Sequence, residues 1–173
     1  MSEVRIREAV EADLPQIVAC WRDLITLHQG LNPSLYATQP QGEVLFWQAS
    51  RRYLSEATSE VMVAEAVGGT SGGPHLDGLL GYIIAREGLR PPWYTVRRVG
   101  MVLDLYVRPE ARRQGVAQRL LRAAEGAFTR RGLGWMQACF DPMNESATGF
   151  WTGQGFRPLL VEGYRALGDT GER

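Results

Sequence analysis

Val102-Leu103-Asp104-Leu105-Tyr106-Val107-Arg108-Pro109-Glu110-Ala111-Arg112-Arg113-Gln114-Gly115-Val116-Ala117 is the stretch on which the reading of this chain turns. An apolar strand, Gly100 to Val107, runs into a turn that carries Arg108, Arg112 and Arg113, and Gly115 stands where an amphipathic helix opens. A helix start presents backbone N–H groups that have no partner within the helix, at the positive end of the helix dipole. That makes it an anion site. Gly115 has no Cβ and lets a ligand approach the backbone, while Ala117 keeps the next position small. The expected ligand is a phosphate or pyrophosphate. Taken alone, the stretch is better read as an ordinary strand, turn and helix with solvated arginines.

A second segment accompanies it: Asn144-Glu145-Ser146-Ala147-Thr148-Gly149-Phe150-Trp151-Thr152-Gly153-Gln154-Gly155-Phe156. Asn144 is a helix-capping residue. Ala147, Phe150 and Trp151 share one helical face, Gly155 closes the helix, and Phe156 turns back toward the sheet.

Working outward, Val4 to Arg7 alternates like a short strand. Asp13 is placed to cap a helix with Pro15 in its first turn, and Leu14, Ile17, Val18, Trp21, Leu24, Ile25 and His28 fall on one stripe. Val44 to Glu56 reads as a second helix. Val61–Val67 and Leu79–Ala85 read as a hairpin around Gly68 to Pro74. Beyond the decisive strand come a helix from Ala111 to Arg131, a strand from Trp135 to Phe140, the helix Asn144 to Gln154, and one or two closing strands between Phe156 and Leu167. The order β, α, α, β, β, β, α, β, α, β predicts an α/β fold, a mixed sheet covered by helices. One domain over residues 3–167 and a polar tail over 168–173 are expected.

Composition excludes several chemistries. The 173 residues suit one domain. All 19 basic residues are Arg, which removes a P-loop lysine, a pyridoxal Schiff base and a kinase-type strand lysine. Two His (His28, His75) and two Cys (Cys20, Cys139) build no zinc finger, and no metal is expected. The 19 acidic residues balance the basic ones, unlike a nucleic-acid binder. No apolar run is long enough for a membrane span and the N-terminus has no signal core. Two distant cysteines in such a chain are read as reduced thiols, hence a cytoplasmic location.

The two segments together resemble the GNAT superfamily of acyl-CoA-dependent N-acyltransferases. The family pattern Gln/Arg-x-x-Gly-x-Gly/Ala is matched by Arg112, Gly115 and Ala117, and its second pattern by Asn144, Ala147, Phe150, Gly155 and Phe156. The Leu-Asp-Leu-Tyr-Val strand is similar to the polyamine and diamine acetyltransferase branch. The resemblance implies a mixed, mostly antiparallel sheet flanked by about four helices, acetyl-CoA as co-substrate, and a primary amine of a small molecule or peptide as acceptor. It implies that the pantetheine arm runs along Leu105, Tyr106 and Val107, between strands that splay apart. The pyrophosphate then sits on the N–H groups of Arg113, Gln114, Gly115, Val116, Ala117 and Gln118, with Asn144 and Ala147 against the pantetheine. Such proteins are commonly homodimers.

The chain departs from the family at both usual acid–base positions. Where relatives carry a Tyr acid, this chain has Trp151, whose indole N–H does not titrate near neutral pH but can stack on the cofactor. Where many carry a Glu base, it has Leu103. Asp104 follows, and faces the other way unless the strand bulges. Asp104 acting through water, another group (Tyr94, Tyr106, Glu43 or His28), or no protein acid at all remain open. His28 reads as a partner for the helix dipole and His75 as exposed. Arg90, Arg97 and Arg98 suit an acceptor bearing a carboxylate or phosphate. Trp93 and Tyr94 are expected in an exposed loop, Trp47 and Tyr53 in the core. A non-catalytic acyl-CoA sensor is the rival reading.

Overall fold

Residues 3–67 and 78–165 are described by the computed structural model. The loop Gly68 to Pro74, His75 and the tail from Gly168 lie outside them. The elements are β1 (Glu3–Glu8), α1 (Leu14–Leu31), α2 (Gly42–Ser55), β2 (Ser59–Val67), β3 (Leu79–Leu89), β4 (Arg98–Val107), α3 (Val116–Arg130), β5 (Met136–Ala138) and α4 (Glu145–Gly153).

The strands form one sheet in the order β1-β2-β3-β4-β5. The first three pairings are antiparallel; β4 and β5 run parallel. This is the mixed, mostly antiparallel sheet that the sequence predicts. Because side chains alternate along each strand, the sheet feeds two cores. On one face Ile83, Ala85, Val107, Leu120, Leu121, Ala124 and Phe128 pack under α3. On the other, Ile17, Cys20, Val63, Tyr82, Ile84 and Tyr106 pack under α1 and α2. Each fully buried Leu, Ile or Phe stabilises the fold by about 1.5–3 kcal/mol. Gly100 sets the seat of α3: a Cβ there would come within 2.4 Å of the Phe128 ring. Trp47 and Tyr53 pack against the α1/α2 core as expected, while Trp93 and Tyr94 are exposed.

Several expectations are corrected. Asp13 does not cap α1. It takes a bidentate pair from Arg7, at 2.7 and 2.8 Å, and accepts the Val10 N–H at 2.8 Å. The helix expected from Ala111 begins only at Val116, because Arg113 and Gly115 adopt left-handed dihedrals that no right-handed helix contains. No closing strand forms over residues 156–165. Pro158 lacks an N–H for a ladder, and Leu159, Leu160, Val161 and Tyr164 are exposed, so neither hydrogen bonding nor burial draws the segment onto the sheet. Among the described residues no helix is long and apolar enough to cross a membrane.

Candidate active site

Between β4 and α3 the chain turns through two left-handed residues, Arg113 at φ 59° and Gly115 at φ 77°. Such turns point successive backbone amides into one concavity. The N–H groups from Arg113 to Gln118 donate to no acceptor among the described residues, and the first regular helical bond of α3 runs from Arg119 N–H to Gly115 O at 3.0 Å. Gly115 is the N-cap, and no side chain caps the helix. A Cβ built on Gly115 would meet nothing within 4 Å, so the amides open onto free space. Val116, 2% exposed, anchors this first turn in the core. The row of unsatisfied donors at the positive end of a helix fits an anionic group.

The arginines behave differently from one another. Arg112 donates its Nε to Val107 O at 2.9 Å and lays its guanidinium 5.5 Å over the Tyr106 ring. Arg108 donates to Leu79 O at 2.8 Å. Both brace the turn from behind; Arg113 is exposed beside Gln114, whose side chain donates to Glu110 O.

The β4–β5 ladder has pairings only for Gly100 with Met136, Met101 with Gln137 and Val102 with Ala138. Past Val102 the β4 edge, through Leu105, Tyr106 and Val107, has no strand partner on that side. Beyond β5, Asn144 caps α4 as expected, its Oδ1 accepting the Ala147 N–H at 3.0 Å.

The β3–β4 ladder carries a bulge. Ile84 pairs with Asp104 but Ala85 pairs with Val102, leaving Leu103 as the extra residue. Val102 and Leu105 therefore both face the α3 core, although three residues apart. Asp104 lies with Tyr106 on the α1/α2 face, and Leu103 is 37% exposed. No hydrogen bond reaches the half-buried Asp104 carboxylate from the described residues, and burial pushes its carboxyl up to about 6. That places proton exchange at Asp104 in the range general-base chemistry needs.

The other acid–base candidates are committed elsewhere. Glu43 is paired with Arg22, which holds its carboxyl low. Burial depresses the His28 imidazole, which leans on Tyr36 at 4.8 Å and is no charged dipole partner. Tyr94 lies under Arg90, 4.3 Å from its guanidinium. Tyr106 donates toward Asp23 at 3.4 Å, and burial raises its hydroxyl. Trp151 is 6% exposed, enclosed by Phe140, Phe150 and Phe156. Its ring packs among these three in the core beneath α4. Arg98 holds Glu87 through two nitrogens, which commits its guanidinium, while Arg97 donates its Nε to Arg90 O at 3.3 Å.

Two contacts had no sequence signal. The Tyr36 hydroxyl reaches Asp141 at 3.3 Å, joining the α1–α2 loop to the β5–α4 loop. Asp23 meets Tyr106 from 83 positions away. Only folding brings such pairs together.

The model of the acetyltransferase (GNAT) family matches residues 21–156. The chain belongs to the GNAT acetyltransferase family. It is thus an acetyl-CoA-dependent N-acetyltransferase, and acetyl-CoA is its co-substrate. Several solved structures share this GNAT fold. A mutant BH1408 protein from Bacillus halodurans superposes with a TM-score of 0.79 at 16% identity, covering 94% of this chain and 99% of that one. The aminoglycoside antibiotic 6'-N-acetyltransferase of Acinetobacter haemolyticus gives 0.68 at 18%, with 95% and 98% covered. AAC(6')-Iy, in complex with the bisubstrate analog CoA-S-monomethyl-acetylneamine, gives 0.64 at 20%, with 96% and 99% covered. At these identities the likeness is one of fold. No curated protein sequence matches this GNAT chain.

Proposed function

We propose that this GNAT protein transfers an acetyl group to a primary amine of a small molecule or peptide by direct attack in a ternary complex. The observation that carries the reading is the row of unsatisfied amides from Arg113 to Gln118 around the left-handed Gly115. These amides are assigned the diphosphate. The unpaired edge at Leu105, Tyr106 and Val107 is assigned the pantetheine arm, by strand-like addition, with Asn144 and Ala147 beside it. Arg112 holds the end of β4 in place for both.

Acetyl-CoA, when bound, supplies an activated thioester. The chain's own part is to place the amine beside it, which contributes much of the rate, and to take up the amine's proton. Asp104 is assigned that proton. Trp151, which cannot donate a proton as an acid, stands where relatives keep a Tyr, and no acid is required, because a thiolate is a competent leaving group. The carboxylates Asp23, Asp104 and Asp141, with Arg98 already paired to Glu87, favour a cationic amine as acceptor. Neighbours of the same fold were crystallised with sisomicin and with an acetylneamine conjugate.

Calorimetry with acetyl-CoA, run beside a thiol-release assay over a panel of amines, tests this. Binding with turnover of at least one amine supports it. Tight binding with no turnover favours the sensory module, the reading suggested by Leu103 and Trp151 at the two usual acid–base positions. The free Cys20 and Cys139 support a cytoplasmic location. The exposed apolar run at Leu159, Leu160 and Val161 supports a homodimer.

A further inference from the structure

Tyr82 sits in the middle of β3, 0% exposed, and its hydroxyl has no hydrogen-bond partner among the described residues. A buried tyrosine hydroxyl left unpaired costs about 1–3 kcal/mol, and buried Tyr O–H groups ordinarily find a partner. Phenylalanine would fill the same core at no such cost. The register says what lies nearby. Tyr82 pairs with Tyr106, and Ile84 with Asp104, so Tyr82 and Asp104 are diagonal neighbours on the α1/α2 face. That spacing is within reach of a long side chain. Tyr82 is a buried donor with no acceptor, and no hydrogen bond from the described residues reaches the half-buried Asp104 on the same face of the ladder.

We propose that Tyr82 is a positioning residue for Asp104, its hydroxyl donating to the carboxylate through one bridging water. The inference rests on the assignment of Asp104 as base. In the transfer step the attacking amine gives one proton to that water, and the water gives one to the Asp104 carboxylate, which ends neutral. Tyr82 keeps its own proton throughout and orients the water. Burial, with Asp104 next in weight, raises the Tyr82 hydroxyl far above its ordinary range, so it stays a donor at every working pH. The other titratable or charged groups facing this cluster are Cys20 and Asp23 from α1, Tyr106 from β4, and Arg108, Glu110 and Arg112 from the turn beyond it. None of them is a direct hydrogen-bond partner of Asp104.

The test is the Asp104 carboxyl titration, followed by carbon-13 NMR on protein labelled at aspartate, without substrate, in the parent chain and in Tyr82→Phe. Asp104→Asn identifies the resonance. A donor that favours the charged carboxylate lowers its pKa, so its loss raises the Asp104 midpoint, by about 0.5–1 pH unit for a water-mediated bond. A matching alkaline displacement of the acidic limb of kcat/KM, with KM for acetyl-CoA unchanged, accompanies it. An Asp104 midpoint that stays in place or falls in Tyr82→Phe overturns the proposal, even if stability changes. Failure of the base assignment shows differently: Asp104→Asn then retains turnover, while the effect of Tyr82 on the titration stands or falls by itself.

Discussion

Asp104 stands opposite Ile84 in the β3–β4 ladder, one residue out of step with the pairing of Val102 to Ala85. This slip keeps a carboxylate on the face of the sheet that α1 and α2 cover, and leaves Leu103 in the position many relatives give to a glutamate. A regular strand would put only one of the two neighbours on that face.

Asp104 must be ionised to accept a proton, so kcat/KM should rise with pH through about 6. Asp104→Asn should remove that limb and lower kcat/KM by about 100-fold or more. Stability should move in the opposite sense. The folded state holds this proton more tightly than the unfolded chain, whose ordinary value is 3.8. Ionisation of Asp104 therefore weakens the fold as pH climbs between those values, by at most about 3 kcal/mol. Urea melts should find Asp104→Asn more stable than the parent at pH 8 and not at pH 4.

Gly115→Glu should abolish acetyl-CoA binding by calorimetry, since a carboxylate would stand at the mouth of the amide row. The protein should still fold, because a side chain there meets open space. The left-handed backbone at φ 77° adds a cost of about 1–2 kcal/mol for any residue with a Cβ. Gly115→Ala should show that cost alone, as a lowered urea midpoint. Undiminished affinity in Gly115→Glu would remove the anion-site assignment.

Asp13→Asn should destabilise the fold by about 2–3 kcal/mol, leaving Arg7 without its bidentate partner. The Arg7 hydrogen bonds hold the Asp13 carboxyl below its ordinary range. Its contribution is therefore complete above that range and lost as pH falls through the depressed value. Acid denaturation curves should show the parent losing this increment and Asp13→Asn having none to lose.

If the exposed run at Leu159, Leu160 and Val161 is covered by a second copy, Leu160→Asp with Val161→Asp should convert a dimer to a monomer in sedimentation velocity. The melting of the dilute monomer should be little affected, because these side chains bury almost nothing within their own chain. A parent protein that sediments as a monomer would dispose of the dimer.

Local rules made the strand into Val107, the glycine at the mouth of α3, the Asn144 cap and the order of most elements along the chain readable, because each depends on neighbours a few residues apart. The left-handed turn at Arg113, which delays α3 to Val116, was not readable, since a non-glycine residue enters that region only when its surroundings hold it there. The absence of a closing strand over residues 156–165 is likewise a matter of what the rest of the sheet offers. The bulge at Leu103, the enclosure of Trp151, and the placing of Tyr82 and Asp104 as diagonal neighbours on one face of the sheet were decided by the tertiary structure. Each depends on which strands lie side by side and in what register, and register is a property of two distant segments at once.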